Sequence, residues 1–222
     1  MTVLHLADEG EAADFAAFLS RLLHYDRAAA VRLQAAGTAL AVFGRPPSFE
    51  VLAIRAVRLA KPYENGLDVT LDVTVSAGEL LESLDELAAT ARVPTAVTGP
   101  PWAGVLPPRG GWTPESGLPG PQALSGMIAA GVAEFRSRTQ ELAPEGRTRG
   151  ELDRIGREIW SRTVGDTSLP VRAIHAAQSL GFLRPGGESG LFSSGAWLRL
   201  RTPYGSIAVR RAGLGALGVS VR

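Results

Sequence analysis

Apolar side chains repeat every three or four residues across residues 8–25, and acidic side chains crowd the first turn of this stretch. This spacing puts the apolar positions on one face of a helix, whose positive N-terminal end favours acidic neighbours. Four further segments predict helices, at residues 76–91, 122–142, 148–160 and 168–180. Two of these begin with the spacing of a capping box, in Ser76 with Glu79 and Thr148 with Glu151.

Residues 67–75 show the two-residue period of a β-strand, because leucine and valine alternate there with aspartate and threonine. One face of such a strand is buried and the other meets water, as in an antiparallel sheet. Strands are also predicted at residues 29–34, 39–43 and 49–59. The connections between them are too short for crossover helices, so we predict an antiparallel meander.

Residues 196–201 and 207–211 predict a β-hairpin around the turn sequence Thr-Pro-Tyr-Gly-Ser. The glycine-rich end that follows, with Gly213, Gly215 and Gly218, either closes as a last strand or frays. We therefore predict an α+β fold whose antiparallel sheet combines the N-terminal meander with this C-terminal hairpin and is covered by helices. Residues 1–222 are expected to form a single domain, since a chain of this length can bury one sizeable core.

Charge divides this domain unevenly. Residues 1–120 hold 9 basic and 14 acidic side chains, whereas residues 121–222 hold 14 basic and 8 acidic ones. A loop at residues 94–121 separates the acidic part, residues 1–93, from the basic part, residues 122–222. A basic part of this kind faces nucleic acid, an acidic partner or the acidic half of another copy, unless it is simply a solvated mixed surface. The opposite charges of the two parts predict a homodimer.

The loop at residues 94–121 contains eight of the 15 prolines, six glycines and two of the four tryptophans of the chain. Proline keeps helices and central strands out of such a segment, and long loops in compact domains are usually functional. Trp102 and Trp112, with Arg109 between them, therefore form either a docking surface for a protein partner or a cover over the core. The sequence leaves these two interpretations equally open.

Side chains used in catalysis and metal binding are scarce. The chain has no cysteine, and its three histidines, His5, His24 and His175, lie in different predicted elements. No serine lies in a nucleophile elbow, and no glycine-rich segment ends in the Gly-Lys-Ser/Thr of a phosphate-binding loop. We therefore expect a non-enzymatic protein with no catalytic residue, no metal site and no cofactor.

The start of the chain is acidic where a secretion signal would be basic and then apolar. No apolar run approaches the ~18 residues that a membrane-spanning helix needs. These patterns predict a cytoplasmic protein without membrane contact.

A different function follows from the order helix, turn, helix and basic hairpin in residues 151–211. This is the order of a winged helix-turn-helix, whose second helix enters the major groove of DNA. The residues that would contact DNA are Arg172 in that helix and Arg199, Arg201, Arg210 and Arg211 in the hairpin. Arg199 and Arg201 also alternate with Leu198 and Leu200, which equally fits a half-buried strand. We favour a hairpin that completes the N-terminal sheet.

The segment Gly-Pro-Pro-Trp-Ala-Gly-Val-Leu-Pro-Pro-Arg-Gly-Gly-Trp at residues 99–112, in arginine-rich and cysteine-free surroundings, resembles proteins of unknown function confined to actinobacteria. It is similar to the signature-protein group that includes ParJ, which is associated with the ParA ATPase and chromosome segregation. The resemblance covers composition, length and this loop. It implies an interaction or regulatory role with a cytoplasmic ParA-type ATPase as partner, and it supplies no catalytic residue.

Three hypotheses follow. The first is a cytoplasmic, self-associating interaction or regulatory protein that modulates a ParA-type ATPase. The second is a DNA-binding regulator that uses residues 151–211. The third is a small-ligand-binding protein or an enzyme, with arginines that line a pocket.

Overall fold

Antiparallel strands and helices alternate along the chain in a computed structural model that describes residues 2–36, 38–60 and 71–211. The strands are β1 (Val3–His5), β2 (Ala30–Ala36), β3 (Ala39–Gly44), β4 (Leu52–Arg58), β5 (Leu71–Ser76), β6 (Leu84–Asp85), β7 (Thr90–Arg92), β8 (Thr113–Glu115), β9 (Gly190–Ser194), β10 (Trp197–Thr202) and β11 (Gly205–Arg210). The α-helices are α1 (Glu9–Tyr25), α2 (Ala77–Glu82), α3 (Pro121–Glu141), α4 (Arg149–Trp160) and α5 (Val171–Ser179). Short 3-10 helices lie at Pro47–Phe49, Pro101–Gly104 and Pro144–Gly146.

One eight-stranded antiparallel sheet joins the two halves of the chain, in the order β5-β2-β3-β4-β11-β10-β9-β8. The junction is the pairing of β4 with β11, in which Ile54 faces Ser206 and Leu52 faces Ala208. The predicted fold class is confirmed, because the N-terminal meander and the C-terminal hairpin form one sheet covered by helices.

Helices cover one face of this sheet. Alternate residues of β2, β3, β10 and β11 point toward them, and these side chains are almost completely buried: Val31, Leu33, Leu40, Val42, Leu198, Leu200, Ile207 and Val209. Helix α1 packs against β4 and helix α5 against β11. The rings of Phe18 in α1 and Phe182 after α5 stack 5.6 Å apart, so both halves of the chain contribute to one core.

Polar caps begin three of the helices, and two of them, Ser76 and Thr148, are the predicted capping residues. The side chain of Asp8 accepts a hydrogen bond from the backbone N–H of Glu11, Ser76 accepts one from Glu79, and Thr148 accepts one from Glu151. Each cap satisfies a backbone N–H group that the helix itself leaves without a partner.

The predicted helix at residues 76–91 is wrong beyond its first turns. Helix α2 ends at Glu82, and the chain then forms β6 and β7, which join β1 in a small antiparallel sheet. Ala91 in β7 pairs with Leu4 and is fully buried, whereas Leu87, assigned to the helix by its spacing, is 83% exposed. Pairing with a strand at the start of the chain therefore outweighs the local helical pattern.

Other boundaries differ less. Strand β4 begins at Leu52, because the preceding Pro47–Phe49 forms a 3-10 turn. Strand β9 was not predicted, and the proline-rich loop contains the short edge strand β8, where Pro114 is tolerated because one side of an edge strand needs no N–H donor. Residues 67–70 of the predicted fourth strand and the terminal Gly213, Gly215 and Gly218 lie outside the described residues.

A buried ion pair ties α1 to the sheet. Arg55 in β4 donates one hydrogen bond to the Glu11 carboxylate at 2.8 Å and another to the backbone oxygen of Tyr204 at 2.7 Å. The side chains of Arg55 and Glu11 are only 8% and 6% exposed. Glu11 also accepts a hydrogen bond from Arg58, whose side chain is 69% exposed.

Candidate functional site

Within residues 2–36, 38–60 and 71–211, no layer of α-helices covers the second face of the large sheet, and we call it the open face. A small apolar cluster lies at its centre, formed by Phe43, Leu52, Ile54 and Ala208, with Trp102, Leu106 and Trp197 packed at its edges. These residues alternate in sequence with those that enter the main core, so both faces follow from the pleat of the strands.

The loop at residues 94–121 crosses the open face and is fixed to it at several points. The backbone N–H of Val97 donates to the oxygen of Thr74 in β5 at 2.9 Å, and the Arg32 guanidinium donates to the oxygen of Ala103. At the far end of the sheet, the Ser194 hydroxyl donates to the oxygen of Gly110 at 3.3 Å. The loop is thus held across the open face from β5 to β9.

Two adjoining cavities of about 670 and 360 Å³ lie beside this loop on the open face. Both are lined by Ile54 and Arg199, so we treat them as one open-face groove. Arg201 and Glu188 line the larger cavity, and the loop contributes Arg109 to the smaller one. Among the described residues that line the groove, these three arginines face one acidic side chain.

Arg199 lies in the middle of the groove in an unfavourable electrostatic environment. Its Nε is buried and has no hydrogen-bond partner in the described part of the chain. Burial lowers the pKa of the Arg199 guanidinium, and the like charge of Arg201 lowers that pKa further. An anion placed here would satisfy the unpartnered donor and neutralise the repulsion between the two arginines.

Tryptophans flank this charge. The Arg199 guanidinium carbon lies 5.6 Å from the ring centre of Trp112, and that of Arg210 lies 5.8 Å from the ring centre of Trp197. Both distances permit cation–π attraction. The Trp112 indole N–H donates to the backbone oxygen of Pro108 at 3.0 Å, which fixes its ring within the loop.

Other arginines of this region already have carboxylate partners. Arg32 makes a two-point contact with Asp72, at 2.8 and 2.9 Å, and this hydrogen bonding lowers the pKa of the Asp72 carboxyl. Arg211 pairs with Glu115 of β8 at 2.7 Å. Among the described residues that line the groove, positive charge without a paired carboxylate therefore lies at Arg109, Arg199 and Arg201.

The open face brings together residues that the sequence assigned to two different functions. Trp102, Arg109 and Trp112, predicted to bind a protein, lie on the same face as Arg199, Arg201 and Arg210, predicted to bind DNA. Arg211 lies beside them, at the β8 edge. Arg172 does not join them, because it belongs to α5 on the helix-covered face.

Sequence reasoning missed Trp197 and Phe192. Trp197 alternates with Arg199 and Arg201 along β10, so its place on the open face was available from the strand pattern. Phe192 pairs with Arg199 from β9, a strand that was not predicted.

The predicted winged helix-turn-helix is not formed. Strand β11 has β10 on one side and β4 on the other, so the hairpin is an internal part of the sheet rather than a free wing. Helix α5 buries five of its nine residues, which leaves little of its surface to enter a DNA groove.

The two tryptophans of the loop are expected to differ in their contribution to stability. Trp102 packs on the open-face cluster, so Trp102→Ser should lower the free energy of unfolding by about 1–3 kcal/mol, less than a fully buried aromatic would. Trp112 packs mainly beside Arg199, so Trp112→Ser should change it by less than about 1 kcal/mol. Chemical denaturation of both variants measures the difference, and equal losses would contradict the distinction.

Within the described ranges, no α-helix has both the length and the apolar character needed to cross a membrane. In the same ranges, no three side chains of histidine, aspartate or glutamate come together in a way that could hold a metal ion.

Residues 1–104 match a family model described as Domain of unknown function (DUF8010), and residues 107–214 match another described as Domain of unknown function (DUF8185). The boundary between the matches falls inside the tryptophan-containing loop. No curated protein matches the chain.

Two solved structures of the DNA polymerase sliding clamp from Pseudomonas aeruginosa, one of them with ligand, are similar to this chain. Each is 13% identical in sequence, and the TM-scores are 0.48 and 0.46. The similarity covers 94% of this chain and 64% of each clamp chain, so the chain spans less than two thirds of the clamp's length.

Proposed function

We propose that this protein is a non-enzymatic interaction protein that binds an acidic segment of a protein partner in its open-face groove. The observation that carries this proposal is Arg199, whose half-buried guanidinium has an unpartnered Nε and lies beside the like charge of Arg201. A carboxylate bound between the two arginines would supply the missing acceptor and remove their repulsion.

The shape of the groove favours an extended peptide over a DNA duplex. The groove runs beside the loop, and Pro107 and Pro108 of the loop form part of its wall. Duplex binding needs a broad surface on which many basic groups reach phosphates. On the open face, Arg32 and Arg211 instead pair with carboxylates, Arg210 lies over the Trp197 ring, and Arg109, Arg199 and Arg201 line the groove.

Aromatic side chains give the groove a second means of recognition. Phe43 and Phe192 line the groove, and Trp112 lies beside its Arg199, so these rings can cover the apolar parts of a bound peptide while the arginines hold its carboxylates. Tryptophan and arginine are enriched among the residues that dominate protein interfaces.

The resemblance to the ParJ-containing group makes a cytoplasmic ParA-type ATPase the first partner to test, with modulation of that ATPase in chromosome segregation as the biological role. Self-association as a homodimer also stays a prediction, since it rests on the opposite charges of the two parts of the chain.

The groove can be tested with a fluorescent octaglutamate peptide as the probe. The double variant Arg199→Gln/Arg201→Gln should bind it at least about tenfold more weakly than the unmodified protein, because a hydrogen bond to a charged group contributes about 1.5–3 kcal/mol. Fluorescence anisotropy at moderate salt measures both affinities.

The matched control is Arg27→Gln/Arg136→Gln, which removes the same charge from two exposed residues that do not line the groove. If both double variants bind the peptide equally weakly, net charge alone explains the loss of affinity, and the assigned site is wrong. Tighter binding of a DNA duplex than of the peptide, lost in the groove variant, would favour the DNA-binding hypothesis instead. Recovery of a ParA-type ATPase from cell extract by the unmodified protein, and not by the groove variant, would identify the partner.

A further inference from the structure

A separate cavity of about 620 Å³ lies among the helices, away from the open face. It opens between the 3-10 turn Pro47–Phe49 and the helices α3, α4 and α5. The side chains that shape it are Phe49, Phe135, Arg157, Trp160, Arg172 and His175. Its volume lies within the range of about 300–1,000 Å³ that is common for small-molecule sites.

Aromatic rings form one wall of this helix-side cavity. The ring centres of Trp160 and His175 are 4.5 Å apart with a tilt of 32°, and Phe49 meets His175 edge-on at 5.1 Å. Burial lowers the pKa of the His175 imidazole, so at neutral pH this ring is uncharged and adds to the apolar surface.

A glycine keeps the aromatic surface open. Gly156 lies on α4 between Trp160 and Phe135, and a Cβ added there would come within 3.6 Å of the Trp160 ring and 3.7 Å of the Phe135 ring. A side chain at this position would therefore occupy space between the two rings. Because residue 156 is glycine, this space beside both rings holds no side chain of its own.

Positive charge lies at the same cavity. The Nε of Arg172 is buried and has no hydrogen-bond partner in the described part of the chain. Neither Arg172 nor Arg157 forms an ion pair with another described residue, whereas the neighbouring Arg149 and Asp153 approach each other at 3.9 Å. The carboxylates of Glu50 and Asp153 also line the cavity, but neither forms an ion pair with Arg172 or Arg157. The cavity thus combines flat apolar surfaces with two guanidinium groups that have no carboxylate partner among the described residues.

We propose that the helix-side cavity binds a small molecule consisting of a planar aromatic ring that carries a carboxylate. The ring would lie against Trp160, with Phe135 and His175 as further contacts, and Arg172 would hold the carboxylate with support from Arg157. This inference is independent of the open-face groove, with which the cavity shares no lining residue.

The charge and the flatness of the cavity both restrict the ligand. A neutral aromatic molecule would leave the Arg172 donor unsatisfied, and a non-aromatic acid would lose the stacking surfaces. Indole-3-acetate has both features and serves as the probe, with neutral 3-methylindole and non-aromatic cyclohexylacetate as the two incomplete analogues.

Indole N–H resonances of the nitrogen-15-labelled full-length protein can locate binding, since Trp160 is the one tryptophan of four that lines this cavity. Indole-3-acetate should shift the Trp160 signal, assigned through Trp160→Phe, and leave those of Trp112 and Trp197 in place. Both incomplete analogues should bind at least about tenfold more weakly.

Arg172→Gln should weaken indole-3-acetate binding by about ten- to a hundredfold, whereas Arg92→Gln, at an exposed residue that does not line the cavity, should leave it unchanged. If Arg172→Gln does not fold, Arg157→Gln on the exposed side of α4 replaces it and should weaken binding by at least threefold. A Trp160 signal that does not move, or equal affinity in the unmodified protein and the arginine variant, would overturn the proposal.

Discussion

Replacing Glu11 with alanine should lower the free energy of unfolding by about 3–5 kcal/mol, because it leaves the buried Arg55 guanidinium without its closest counter-charge. Asp14 remains 3.6 Å from the same guanidinium, so we expect a value near the lower end of this range. For a chain of this length the loss corresponds to a fall in melting temperature of roughly 6–12 °C. Thermal and urea unfolding of Glu11→Ala measure it.

Arg58→Gln is the matched control, since it removes a partner of the same carboxylate whose side chain is 69% exposed. Exposed ion pairs contribute at most about 1 kcal/mol, so this variant should unfold close to the unmodified protein. Similar losses in the two variants would show that burial does not set the strength of these contacts. Partial rescue of Glu11→Ala by Arg55→Met would support the explanation, because the second change removes the uncompensated charge.

Neither half of the chain should fold by itself, although the two family matches meet within the loop. A fragment of residues 1–106 would expose the edge of β4, and a fragment of residues 107–222 would expose the edge of β11. Each would also lose one ring of the Phe18–Phe182 stack. We expect both fragments to lack dispersed amide resonances when expressed alone, and co-expression to restore the spectrum of the intact protein.

A protease site inserted between Gly110 and Gly111 provides the control for this experiment. Both glycines are exposed, so cleavage after folding should leave the two pieces bound through β4 and β11. A fragment that folds alone, with dispersed resonances and a cooperative thermal transition, would show two independent domains and contradict the expected single domain.

Local patterns predicted those elements whose contacts are close in sequence or whose two faces differ clearly. Helix α1 has an acidic first turn and an apolar face, and strand β10 alternates leucine with arginine, so each pattern has one structural solution. A helix was wrongly predicted over residues 84–91 because their leucines continue a helical period. Strand β7 at the end of this segment pairs with β1, about 85 residues earlier, and local spacing does not reveal such a pairing.

The sequence identified most residues of the candidate site, but it did not show that they meet on one face of the sheet. Tryptophans among prolines identified Trp102 and Trp112, and the charge of the hairpin identified Arg199 and Arg201. Their meeting on one face depends on β8 and β9, through which the loop reaches Arg199, and on β11 pairing with β4. The register of distant strands determines these contacts, whereas short-range periodicity carries no information about them.

The pairing of β4 with β11 also means that the large sheet cannot be completed until late in synthesis. About 150 residues separate the two strands, and ribosomes add roughly 5–20 residues per second, so β11 is synthesised about 8–30 s after β4. Throughout that interval the nascent meander presents an unpaired strand in which five of seven residues are apolar. Such an edge can recruit strands of neighbouring nascent chains on the same messenger. We therefore expect slower codons across the loop and α3–α5 to prolong the exposure of this edge and to lower the yield of native protein.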